Sequence, residues 1–177
     1  MTTCSHPFFS RDVGVAPTGS TGVGATPTSR LKKPKPDPHS KSLRKGRRSI
    51  PHQIYLITAT TQDRVTVFAD FYAARTLIRL LHTDPEARTL AFVVMPDHLH
   101  WLMQLGQIRS LSQVVESLKT LSAKKIGKPF WQDGFHDHAL RQEEDLRAVA
   151  RYIVANPLRA GLVNRIGDYP HWDSIWL

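Results

Sequence analysis

Along this chain the spacing of apolar positions changes period several times, and each change marks a new element. Residues 53–60, QIYLITAT, are rich in β-branched and aromatic types and predict a strand. Residues 70–82 place Phe71, Ala74, Leu77, Ile78 and Leu81 on one face at helical spacing, with Asp70 positioned to cap the first turn. Residues 89–95, TLAFVVM, form a nearly continuous apolar run that suits a buried strand, and Pro96-Asp97 supplies a turn. Residues 98–105 predict the next strand. Ser110 can cap a helix running to about Ile126, with Leu111, Val114, Val115, Leu118 and Leu121 along one side. Residues 135–141 fit a fourth strand. A last helix is expected from about Glu143 to Asn156, where Pro157 stops its continuation.

The order β-α-β-β-α-β-α predicts an α+β fold. Two split β-α-β halves would share one antiparallel sheet in a ferredoxin-like sandwich, with an extra C-terminal helix carrying Tyr152. This domain is expected over residues 51–177. Residues 1–50 break the pattern: Gly, Pro, Ser and Thr dominate as far as residue 29, and the following stretch is basic and punctuated by proline. Such a segment buries too little apolar surface to offset its ordering entropy, so a disordered or loosely extended arm is expected.

Charge sharpens the division. Of the 24 Lys and Arg and 15 Asp and Glu, residues 1–50 hold 10 and 2, a net of +8, leaving 14 and 13 for the rest, a net of +1. A nearly neutral body with a basic arm suits a polyanion, of which nucleic acid is the commonest. A tail that only aids solubility is the competing explanation. The single cysteine, Cys4, excludes an intramolecular disulfide framework. No apolar run approaches the length of about 20 residues that spans a bilayer. The first residues do not pair a basic region with an apolar stretch, so a cytoplasmic location is expected.

Within residues 98–105 the alternation carries more than a strand signal. Successive side chains point to opposite faces, so Leu99, Trp101, Met103 and Leu105 share a wholly apolar face. His98 and His100 share the other, and core packing accounts for neither. Two imidazoles so spaced can reach one ion, although a purely structural His-x-His pair fits the same spacing. On the last predicted helix, Leu146, Val149, Ala150, Ile153 and Val154 form the apolar stripe. At about 100° per residue, Tyr152 and Asn156 flank that stripe on one side as neighbours along the helix. Together they offer a phenol nucleophile and an amide oxygen for a metal. A packing tyrosine and an ordinary helix-end asparagine are the competing readings.

The segment VMPDHLHWL, from Val94 to Leu102, resembles the MPNHxHxL signature of the REP-associated tyrosine transposases, members of the wider HUH class of single-tyrosine transposases. Three later stretches resemble that family's later blocks in the same order: FWQDGF from Phe130 to Phe135, Arg141 before Glu143-Glu144-Asp145-Leu146, and YIVANPLRAGLV from Tyr152 to Val163. Together the blocks cover roughly residues 52–172. The resemblance implies a ferredoxin-like catalytic domain that cuts and rejoins single-stranded or hairpin DNA through a covalent 5′-phosphotyrosine. It places the metal histidines on His98 and His100, the nucleophile on Tyr152, a third ligand on Asn156, and Mg²⁺ or Mn²⁺ between them. Asp97 stands where the family often has Asn, a turn position expected to tolerate either.

Further candidates are less specific. Arg141, Arg151 and Arg159, with Lys119, Lys124 and Lys125, have the charge to contact phosphate, as solvated helix faces also would. Trp131 and Phe135 suit base stacking or, better, core packing. His136-Asp137-His138 is a second His-x-His without an apolar back face. A zinc-dependent hydrolase fits poorly, because no suitable Glu lies beside the histidines. Two function classes remain: the strand-transfer enzyme, and a non-catalytic, domesticated relative that keeps only nucleic-acid recognition. Monomer and homodimer are both left open.

Overall fold

The computed structural model describes residues 49–141 and 144–177. β1 (Ile54–Thr60) leads through two short 3-10 turns into α1 (Phe71–Leu81). β2 (Ala87–Met95) and β3 (His98–Leu105) form a hairpin, and α2 (Leu111–Ile126) returns the chain to β4 (His136–Ala139). α3 (Leu146–Val154) and a single helical turn, α4 (Asn156–Arg159), precede β5 (Trp172–Ser174). The sheet order is β4-β1-β3-β2-β5 with every neighbouring pair antiparallel. Its first four strands are the predicted split β-α-β arrangement. β5 lies outside the predicted elements, since three residues are too short to show a period.

The helix starts follow local chemistry. Asp70 Oδ1 accepts from the Ala73 N–H at 2.7 Å, and Ser110 and Gln113 form a reciprocal capping box. Each face of the sheet carries its own core. Leu99, Trp101, Met103 and Leu105 are almost wholly buried beneath α1 and α2, with Phe68 and Phe130. On the other face Leu102 packs with Leu90, Leu140, Ala150, Ile153 and Val154 beneath α3. That second core holds α3 on the same side of the sheet as His98 and His100.

Several expectations shift. Phe71 and Leu121, both placed on apolar helix faces, are 52% and 43% exposed. Phe71 lies in the first turn of α1, and Leu121 lines an open hollow between α1 and α2 with Leu80 and Leu118. Glu143, the expected start of the last helix, lies outside the described residues, and α3 begins after its cap, Asp145. The expected arm, up to residue 48, also lies outside them. Ser49 and Ile50 belong to the folded body: Ser49 Oγ accepts from the Leu111 N–H at 2.9 Å, and the Ile50 N–H donates to Tyr55 Oη at 3.1 Å. Among the described residues, no helix is long and apolar enough to cross a membrane.

Candidate functional site

His98 opens β3 directly after the Pro96-Asp97 turn, and its ring lies 4.8 Å from that of His100, centroid to centroid. Both Nδ1 atoms are engaged. The His98 Nδ1–H donates to Asp97 Oδ1 at 2.6 Å. His100 Nδ1 lies 2.9 Å from Thr58 Oγ1, because register places Thr58 directly opposite His100 on β1. The donor set fits a divalent cation at the two Nε2 atoms. Among the described residues, no three His, Cys, Asp or Glu side chains gather at one point to hold an ion. A cation held by the pair therefore takes its other ligands from an amide, from substrate or from water.

Electrostatics at the pair is set by burial and by cations. His100 is pushed down to about 4, first by burial and then by the positive charges of His98, Arg159 and Arg64. Burial alone would raise the Asp97 carboxyl. Hydrogen bonds to His98 and Arg64 outweigh it and hold Asp97 below its ordinary value. Arg64 reaches Asp97 Oδ2 with Nη1 at 3.1 Å. It is carried on a turn where Asp63 and Arg64 both have left-handed backbone, φ 52° and 56°. Two consecutive non-glycine residues in that region cost of order 1–3 kcal/mol each.

Around Tyr152 and Asn156, the helical break decides the geometry. Pro157 has no N–H for the Ile153 carbonyl, and its ring opposes a continuous helix there. Asn156 Nδ2 donates to that carbonyl instead, at 2.8 Å. The helix therefore stops at Val154, and Asn156 does not share one continuous helix with Tyr152, contrary to the sequence pattern. The two are linked through Arg159. Its Nη2 donates to the Tyr152 carbonyl at 2.7 Å and to Asn156 Oδ1 at 2.8 Å. Its guanidinium carbon lies 4.0 Å over the Tyr152 ring. Tyr152 is 62% exposed. One guanidinium thus touches the phenol ring and the amide while its charge reaches His100.

Residues 49–156 match the family model of the IS200-like transposases. The chain belongs to that family. The matched span includes His98, His100, Tyr152 and Asn156 and stops short of Arg159. The chain is 26% identical over 136 residues to a Haemophilus influenzae protein provisionally assigned as a REP-associated tyrosine transposase, covering 67% of this chain and 77% of the relative. It is 34% identical over 82 residues to the REP-associated tyrosine transposase of Escherichia coli K12, covering 45% of this chain and half of that protein. A solved structure of a REP-associated tyrosine transposase bound to a REP hairpin superposes with a TM-score of 0.61 at 26% identity, covering 71% of this chain and 79% of that one. The α+β architecture expected from the element order is that of this transposase family.

Other candidates scatter. Arg151 is exposed on α3 next to Tyr152, and Arg141 is exposed past β4, where its backbone N–H donates to Glu144 Oε1 at 3.3 Å. Lys124 and Lys125 are exposed in the last turn of α2, in the layer across the sheet from the histidines, and are not gathered with them. Trp131 and Phe135 pack against the first core. His136 stands opposite Thr58 and so shares the face of His100. His138 Nε2 lies 3.1 Å from the Glu144 carboxylate. Sequence reasoning named Asp97 only as a turn residue and missed Thr58 and Arg64. The signals were thin: a polar residue on the face of a strand, and a basic residue in the loop after it.

Proposed function

We propose that this chain is a metal-dependent single-stranded DNA endonuclease and strand transferase of the HUH type, acting on hairpin DNA through a covalent 5′-phosphotyrosine at Tyr152. The observation that carries the reading is Arg159, which stacks on the exposed Tyr152 while its charge acts on His100. That supports joining the tyrosine and the histidine pair in one site. The relative solved with a REP hairpin supports hairpin DNA as the substrate class.

In the proposed reaction the Tyr152 oxygen attacks the scissile phosphorus in line and loses its proton, and the bond from phosphorus to the 3′-oxygen breaks. The 3′-oxygen leaves as a hydroxyl. The bond energy stays in the phosphotyrosine, so the 3′-hydroxyl of another strand can reverse the step and join without ATP. His98 and His100, with Asn156 as third ligand, would hold Mg²⁺ or Mn²⁺, which would supply Lewis-acid polarisation of the phosphate. Depression of the His100 pKa keeps that imidazole unprotonated at neutral pH. Arg159 holds Asn156 Oδ1 and the face of the tyrosine ring in register. Arg141 and Arg151 contact backbone phosphates, while Lys124 and Lys125 serve only DNA that reaches around to the other layer.

The test is incubation with hairpin DNA bearing a single-stranded flank, with Mn²⁺, followed by a denaturing gel for protein–DNA adduct. The wild type should form the adduct. Tyr152→Phe should lose it and keep hairpin binding, because only the hydroxyl is deleted. Adduct from Tyr152→Phe would move the attack to another residue. Tight binding with no cleavage, across several hairpins and both metals, would mark a domesticated, non-catalytic relative.

A further inference from the structure

We infer that Asp97, braced by Arg64, is a positioning residue that holds His98 in the tautomer with Nδ1 protonated and Nε2 free for a divalent cation. Thr58 Oγ1, 2.9 Å from His100 Nδ1, engages the corresponding nitrogen of the second ring. This inference rests on the metal-site reading above and adds the outer partners that prepare the site.

An imidazole offers one lone pair when neutral, and the hydrogen bond made by one ring nitrogen decides which nitrogen presents it. Ionised Asp97 can only accept, so the 2.6 Å contact places the hydrogen on His98 Nδ1 and the lone pair on Nε2. Asp97 is itself fixed at its side chain and at its backbone. Its other carboxylate oxygen takes Arg64 Nη1 at 3.1 Å. The Asp97 backbone carbonyl accepts from the N–H of buried Thr61 at 2.9 Å and lies 2.9 Å from the Thr61 hydroxyl. Arg64 arrives from the left-handed Asp63–Arg64 turn, a conformation that the sequence retains without glycine. The Thr58 contact at 2.9 Å occupies Nδ1 of His100 and turns its Nε2 away from β1. Both rings thus present the same nitrogen, and their centroids are 4.8 Å apart. A hydrogen-bonded carboxylate also raises the basicity of the ligating nitrogen.

Two measurements on the metal-free, DNA-free full chain test this. The first is Mn²⁺ affinity, read from the electron paramagnetic resonance of free Mn²⁺. Asp97→Ala should weaken binding by about 10–100-fold, the usual effect of removing such a partner. Asp97→Asn, whose amide oxygen still accepts, should fall between Asp97→Ala and the wild type. Arg64→Ala should weaken binding several-fold. The second is the ¹⁵N spectrum of the His98 ring, which should show protonated Nδ1 in the wild type and a shift towards protonated Nε2 in Asp97→Ala. An Asp97→Ala protein with wild-type Mn²⁺ affinity and an unchanged tautomer overturns the inference, provided His98→Ala loses the metal. Unchanged Mn²⁺ affinity in His98→Ala with His100→Ala overturns the metal site itself.

Discussion

Burial first, and then the neighbouring positive charges, disfavour a charged His100. Its folded value of about 4 lies below the ordinary 6.5. The unfolded chain therefore binds more protons than the folded one between those limits. The contribution to stability is fully present above about 6.5 and is lost as pH falls through the window towards 4. His171, buried and near Arg75, is shifted in the same direction and adds to the trend. We predict that the metal-free protein loses thermal stability between pH 7 and pH 4.5, and that the His100 Cε1–H resonance titrates near 4. A midpoint at the ordinary histidine value would show that neither burial nor the neighbouring cations act on this ring. At the same scale, alternation along residues 98–105 is enough by itself to divide Leu99, Trp101 and Met103, which the fold buries, from His98 and His100. It gives no access to Thr58, Arg64 or the contact of Asp97. Those depend on strand register and on a turn with left-handed backbone, neither of which has a period to read.

Elements broke where a local rule competed with a longer pattern. Both long helices of the first layer carry a strong cap and an apolar stripe, and both were legible to within about a turn. The tyrosine helix was legible as far as Val154. Past that point, helical periodicity placed Asn156 on the same rod as Tyr152, while Pro157 broke the rod and gave Asn156 a different task. Its amide nitrogen serves the Ile153 carbonyl, and its oxygen faces Arg159. The two ends of one side chain can be tested apart. Asn156→Asp removes the donor and keeps an oxygen ligand, whereas Asn156→Ala removes both. We predict a stability loss of about 1 kcal/mol in either variant from the unserved carbonyl, read by thermal denaturation. Mn²⁺ affinity should be retained in Asn156→Asp and fall in Asn156→Ala. Equal affinities in the two would discard Asn156 as a ligand and leave it as the brace of a proline break.

At the scale of the molecule, the sheet separates two kinds of surface. α1 and α2 seal one face into a core of large apolar side chains. The other face packs Leu102 and its neighbours beneath α3, and it also carries His98, His100 and, by register, His136. That partition follows from the sequence, because the strand pattern puts Leu99, Trp101, Met103 and Leu105 on one side and His98 and His100 on the other. The body's own charge is too small to explain attraction to DNA: residues 51–177 carry 14 basic against 13 acidic residues. Residues 1–48 contribute 10 of the 24 Lys and Arg and 2 of the 15 Asp and Glu, so deleting them takes the chain from +9 to +1. Phosphate contacts position a protein on nucleic acid and carry little sequence information. Each one lost should flatten the dependence of log affinity on log salt by about 0.9 for duplex and about 0.7 for single strands. We predict that the truncated chain binds hairpin DNA more weakly at low salt, with a shallower salt slope. Its ranking of hairpin sequences should be unchanged, and so should its adduct yield at saturating DNA. Titrations at several salt concentrations, with two hairpins differing in sequence, separate the possibilities. An unchanged slope would make the basic segment a solubilising tail. A changed ranking would mean that it reads bases, a task that charge alone does not confer.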